Sequence, residues 1–168
     1  MTSHLAKLES GTYEQQRDLV NVHDLISSCV SMSSRGCDPS QLQFKVQCPA
    51  DLAIISDRRL WQTTLMNLIG NAVKFTMAER PQPTTTALIE VLVEREAGRN
   101  GVNVVVKDTG PCIDVSDQQL IMGKVPQFSR GFQTQGLGSG LGLHLSAQVR
   151  RAGHSRCWPL SHVRAACR

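Results

Sequence analysis

Aromatic side chains are scarce. They make up 4% of the 168 residues against 40% hydrophobic overall, so the core must be aliphatic, and a surface that stacks on nucleic-acid bases has little to be built from. No apolar run approaches the roughly 20 residues of a membrane-spanning helix. The opening MTSHLAKLESG lacks the charged-then-apolar pattern of a secretory signal. No CxxC pair occurs among Cys29, Cys37, Cys48, Cys112, Cys157 and Cys167, which favours reduced thiols in a cytoplasmic setting over a disulfide framework. Acidic residues are absent from residues 147–168, which hold five arginines. Taking those five from the 18 basic residues leaves 13 against 14 acidic ones elsewhere, so the net charge of +4 belongs to the tail. With no basic face spread over the body, nucleic acid is not an expected partner. The length fits one domain with a real core, plus an appendage.

What is present centres on Asp57 to Thr76, DRRLWQTTLMNLIGNAVKFT. At about 100° per residue, Asn67, Asn71 and Lys74 fall at i, i+4 and i+7, within an arc of about 60°. Leu65, Met66, Leu68, Ile69, Ala72, Val73 and Phe75 cover most of the remaining circumference, the pattern of a helix buried in a domain. Two carboxamides and one ammonium suit a site with anionic oxygens and a hard cation, where amide oxygens can ligate and the ammonium can donate. An ordinary amphipathic helix with a narrow wet face would show the same stripe.

In chain order, Met1 to Ser10 reads as the end of a helix, with Leu5 and Leu8 on one side and Gly11 as its cap. Val22 to Ser33 reads as a second helix, capped by Asn21 with Asp24 in its first turn. Leu42 to Cys48 alternates Leu42, Phe44, Val46 and Cys48 inward against Gln43, Lys45 and Gln47 outward, as a strand does. Ala53 to Ser56 forms a short second strand before Asp57 caps the central helix. Ala87 to Arg95 and Val102 to Lys107 are two more strands. Val102, Val104 and Val106 share a face, so Asp108 is directed to that inner side, where a carboxylate needs a donor. Starting a turn with Thr109 and Gly110 is the alternative role. Gly131 to Gly142, GFQTQGLGSGLG, contains five glycines in twelve residues. Ahead of the apolar run Leu141, Leu143, Leu145, Ala147, such a segment can wrap an anion at a helix N-terminus or serve as a flexible linker.

In order and spacing, NLIGNAVKFT, then DTG after a strand, then GLGSGLGL before a helix resemble the ATP-binding domain of sensor histidine kinases. The family's N-box resembles Asn67, Asn71, Lys74 and Phe75; its first glycine box, Asp-x-Gly-x-Gly, resembles Asp108 to Cys112; its second resembles Gly138, Gly140 and Gly142. The resemblance implies an α/β (α+β) two-layer sandwich, a mixed and mostly antiparallel sheet with helices on one face. It implies ATP and Mg²⁺ as cofactors. Asn71, helped by Asn67, would hold Mg²⁺ across the phosphates, and Lys74 would approach a phosphate. Asn67 and Lys74 thereby take the catalytic part. Asp108 would accept from the adenine amino group, with Gly110 in the same box. Gly138, Ser139, Gly140 and Gly142 would hinge a lid, and Phe128 resembles the aromatic in that lid's leading segment.

The same Bergerat fold serves gyrase, heat-shock chaperone and mismatch-repair ATPases. Those hydrolases commonly place Glu where Asn67 stands, and an Asn cannot take a proton from water. Asn67 therefore favours transfer of a phosphoryl group to a protein side chain. LAKLESGTYEQQRDLVNVHDLI resembles the exit of the dimerisation hairpin of hybrid-type sensor kinases. No His-Glu-Leu-Arg-Thr-Pro-like box occurs, and His4 and His23 read as surface residues. The partners implied are a phosphoacceptor-histidine domain and a response-regulator receiver domain, in a parent or partner chain that could itself be membrane-attached.

The sequence departs from the family at three places. Cys112 replaces the second glycine of the first box, a cost of about 1 kcal/mol if that backbone has positive φ. The segment from Ile121 to Gln135 is loosely family-like. After Gln148 the family's final strand pair gives way to VRRAGHSRCWPLSHVRAACR, so those strands are expected to be missing and one sheet edge unpaired. The domain plan is residues 1–20 as hairpin remnant and linker, 21–148 as the ATP-binding domain, and 149–168 as a poorly ordered basic tail. A catalytically inactive nucleotide-binding or partner-binding module of the same fold is the rival reading. A zinc site from His154, Cys157, His162 and Cys167 is a further alternative, at a spacing that is not a standard one.

Overall fold

Asn21 fixes the first helix, because its Oδ1 accepts from the Asp24 N–H at 3.0 Å and so satisfies one of the donors a helix start leaves open. The computed structural model describes Glu14 and residues 16–78, 86–95 and 102–110. The expectations for residues 1–10, Cys112, the lid, the basic tail and the zinc set lie outside these residues. The helix α1 (Val22–Ser33) buries Val22, Leu25, Ile26 and Cys29 and closes where the Ser34 N–H reaches the Val30 carbonyl at 2.9 Å. Gly36, at φ 82°, turns the chain out through a conformation that costs a side chain about 1 kcal/mol.

A strand β1 (Asp18–Asn21) precedes α1. It is followed by β2 (Leu42–Gln47), β3 (Ala53–Ser56), α2 (Arg58–Ala78), β4 (Ala87–Arg95) and β5 (Val102–Asp108). Strand β1 begins inside the stretch that the sequence assigns to hairpin remnant and linker and ends on the first residue of the next, and it pairs antiparallel with β3, Leu19 opposite Ile55 and Val20 opposite Ile54. The other strands form a mixed sheet in the order β2-β4-β5, with β2 parallel to β4 and β4 antiparallel to β5. Among the described residues the strands thus divide into two sheets, where the sequence suggests one. Helices α1 and α2 pack on each other, and α2 packs against β4 and β5. Ile89, Val91, Val93, Val102, Val104 and Val106 line the buried face of the sheet. No described helix is long and apolar enough to cross a membrane.

Among the described residues the core between the layers is aliphatic apart from the buried Trp61, with Phe44 packed against it. Leu65 and Ile69 are wholly buried, each contributing about 2 to 3 kcal/mol relative to an exposed position. Burial pushes the Cys29 thiol up to about 11, against a smaller opposing pull from Arg58, so this cysteine stays protonated and inert at neutral pH. Gly70 is a local weakness in α2, since a Cβ there would meet nothing within 4 Å. Gly70→Ala is therefore expected to raise the unfolding free energy by about 0.5 to 1 kcal/mol in urea melts; a loss of stability would mean that the open space is needed.

Candidate functional site

Helix α2 starts at Asp57, whose side chain is only 2% exposed. Its Oδ1 accepts from the N–H groups of Arg59 (2.9 Å) and Leu60 (3.2 Å), while its Oδ2 accepts from the Gln16 N–H (3.0 Å) in the segment leading into β1. One carboxylate thus caps the helix and fastens the incoming chain to it. From Leu60 to Met77 no residue is fully exposed. Leu65, Ile69, Ala72 and Thr76 form the buried row. Asn67, Asn71 and Lys74 lie half-buried beside it, within the narrow arc that helix geometry dictates. The Lys74 ammonium stands 4.9 Å from the centroid of the Phe75 ring, a cation–π distance.

At the end of β5 the buried series Val102, Val104, Val106 continues to Asp108, which is half-buried. Both roles weighed for this residue occur together. Its Oδ1 accepts from the Gly110 N–H at 2.9 Å, closing a turn, and from the Thr76 hydroxyl of α2 at 3.4 Å. Its Oδ2 accepts no hydrogen bond among the described residues. Thr76 itself is 2% exposed. The turn runs close against α2: a Cβ on Gly110 would stand 2.8 Å from the Asp108 Oδ1, 3.1 Å from the Thr76 hydroxyl oxygen and 3.2 Å from the Thr76 Cα. Thr109 accepts from the Leu88 N–H at 3.2 Å and so ties the turn to β4.

The structure therefore brings Asp108 and Gly110 against the last turns of the helix that carries Asn67, Asn71 and Lys74. Phe128, Gly138, Ser139, Gly140 and Gly142 lie outside the described residues. Two contributors escape the sequence reading. Thr76 falls at i+4 from Ala72 in the buried row, so its helical position marks it as inward, but its partner is 32 positions away. The Gln16 link to Asp57 spans 41 positions and has no local signal. No group of three or more His, Cys, Asp or Glu side chains that could hold a metal occurs among the described residues.

The profile of the HATPase_c family, described as histidine kinase-, DNA gyrase B-, and HSP90-like ATPase, matches residues 56–164. The chain belongs to the HATPase_c family. Curated proteins similar to it include histidine kinases. The histidine protein kinase DivJ of Caulobacter vibrioides is 29% identical over 143 residues, 84% of this chain and 22% of DivJ. The adaptive-response sensory kinase SasA of a Synechococcus strain is 31% identical over 119 residues, 70% of this chain and 29% of SasA. The chain thus spans less than a third of the length of either. Among solved structures, full-length ShkA in complex with AMPPNP matches with a TM-score of 0.65 at 22% identity, covering 90% of this chain and 29% of that one. The catalytic domain of the histidine kinase ThkA matches with a TM-score of 0.61 at 22% identity, covering 81% of this chain and 80% of that one. At these identities the likeness establishes the fold, a mixed sheet layered against helices as in histidine kinase ATPase domains.

Proposed function

We propose that this chain is the ATP·Mg²⁺-binding, phosphoryl-donor domain of a two-component sensor histidine kinase. It would act with a phosphoacceptor-histidine domain and a response-regulator receiver domain in a parent or partner chain. The observation that carries the reading is the Asp108 carboxylate at the end of β5, with Oδ1 held by Gly110 and Thr76 and, among the described residues, no hydrogen bond to Oδ2. An acceptor-only group offered in this way suits the exocyclic amine of adenine and is unfavourable to the carbonyl oxygen that guanine carries there. Asn71 and Asn67 have the neutral amide oxygens that a hard cation takes alongside phosphate oxygens, and Lys74 would donate to a phosphate. Mg²⁺, when bound, supplies charge neutralisation on the transferring phosphoryl group. Asn67 has no basic oxygen to deprotonate water, so the site favours transfer to a protein side chain over hydrolysis. The names of DivJ and SasA as kinases support the same class.

The test is a thermal melt of the 168-residue chain with Mg·ATP, with ATP plus EDTA, and for Asn71→Ala. Saturating Mg·ATP is expected to stabilise the chain by about 2.7 kcal/mol at a hundred times its Kd. EDTA or Asn71→Ala should remove most of that gain. No shift with Mg·ATP would overturn the reading in favour of a module that keeps the fold for partner binding. Steady phosphate release that Asn71→Ala abolishes would make the chain an independent ATPase instead.

A further inference from the structure

We infer that Thr76 is a positioning residue that sets how the Asp108 carboxylate is presented to the base, an inference that rests on the adenine reading above. The hydroxyl of a threonine late in a helix usually finds water or the carbonyl one turn back. Thr76 makes no such bond to a helix carbonyl among the described residues. It is 2% exposed, and its hydroxyl donates across to the Asp108 Oδ1 at 3.4 Å, the same oxygen that the Gly110 N–H holds at 2.9 Å. Two donors from different directions, one on the turn and one on α2, restrict rotation of the carboxylate about its last torsion. Which oxygen is held is thereby decided by the turn together with α2, the same helix that carries Asn67, Asn71 and Lys74. Recognition of the base and grip on the phosphates then share a single rigid element. The 3.4 Å separation is longer than the usual 2.5–3.0 Å for a hydroxyl donor, so the hold is modest and the effect of losing it is set accordingly.

The experiment compares binding of ATP with binding of the purine ribonucleoside triphosphate that lacks the 6-amino group, to the full 168-residue chain and its variants, by titration calorimetry. The unaltered chain should prefer ATP. Thr76→Val, which replaces the hydroxyl by a methyl of similar shape, should weaken ATP about fivefold while leaving the analogue without the 6-amino group unchanged. Thr76→Ser should restore the ATP preference. Added to Asp108→Asn, Thr76→Val should cost nothing further, the non-additivity expected of two groups acting through one contact. Equal weakening of both nucleotides by Thr76→Val, or a full additional loss in the double variant, would reduce Thr76 to a packing role. An unchanged ATP affinity would remove it altogether. If the unaltered chain binds both nucleotides equally, the Asp108 reading itself fails and takes Thr76 with it.

Discussion

Gly110→Ala is expected to lower the unfolding free energy by about 2 kcal/mol and, with it, ATP affinity by about tenfold or more. The added methyl would stand 2.8 Å from the Asp108 Oδ1 and 3.2 Å from the Thr76 Cα, and the second of these contacts is backbone of a packed helix that cannot swing aside. Relief has to come from the turn lifting off α2 or from the carboxylate rotating, and either change moves the acceptor from where the base would meet it. The contrast with Gly70→Ala makes the argument specific. The two glycines differ in what surrounds them, packed atoms at one and open space at the other, so the same substitution should have opposite signs in urea melts of the two variants. A Gly110→Ala protein as stable as its parent would show that the turn and α2 are less tightly apposed than the structure has them.

Asp57→Ala should be the other large effect, a loss of about 2 to 3 kcal/mol, since it removes the acceptor for two N–H groups at the start of α2 and for the Gln16 N–H. Asp57→Asn separates the two duties. The amide keeps one oxygen to cap the helix, but its NH₂ cannot accept from the other side, so about 1 kcal/mol is expected to be lost. Amide hydrogen exchange should report which side has opened. In the Asn variant, faster exchange at Gln16 with Arg59 and Leu60 still protected is the expected pattern. Equal losses for both variants would mean that the carboxylate charge, not the count of acceptors, is what matters there.

The features legible in the sequence are those written locally. Asn21 and Asp57 announce helix starts because the capping contact reaches only two or three residues along the chain. The parity of Val102, Val104 and Val106 is enough to aim Asp108, because side chains alternate strictly along a strand. The Asn67, Asn71, Lys74 stripe follows from helical periodicity alone. What stayed hidden is what depends on distant partners. Strand β1 is four residues, Asp18 to Asn21, of which only Val20 is buried and Leu19 is 77% exposed. Such a segment carries no usable alternation and exists as a strand through its pairing with β3, more than thirty positions away. The separation of that pair from the β2-β4-β5 sheet is likewise a property of the assembled layers. Thr76 is of the same kind, because the carboxylate it meets lies on β5, 32 positions away.

The parallel pairing of β2 with β4 has a consequence for how the chain is made. Lys45 and Glu90, joined by a 3.0 Å ion pair, lie 45 positions apart, and every rung of that ladder has the same offset. At a synthesis rate of about 5 to 20 residues per second, β2 emerges from the ribosome about 2 to 9 s before its partner exists. During that interval α1 is already made and α2 is still being made, and Leu42, Phe44 and Val46 have no sheet to join. Those side chains are exposed until β4 arrives, and a slowed ribosome between β2 and β4 would prolong that exposure.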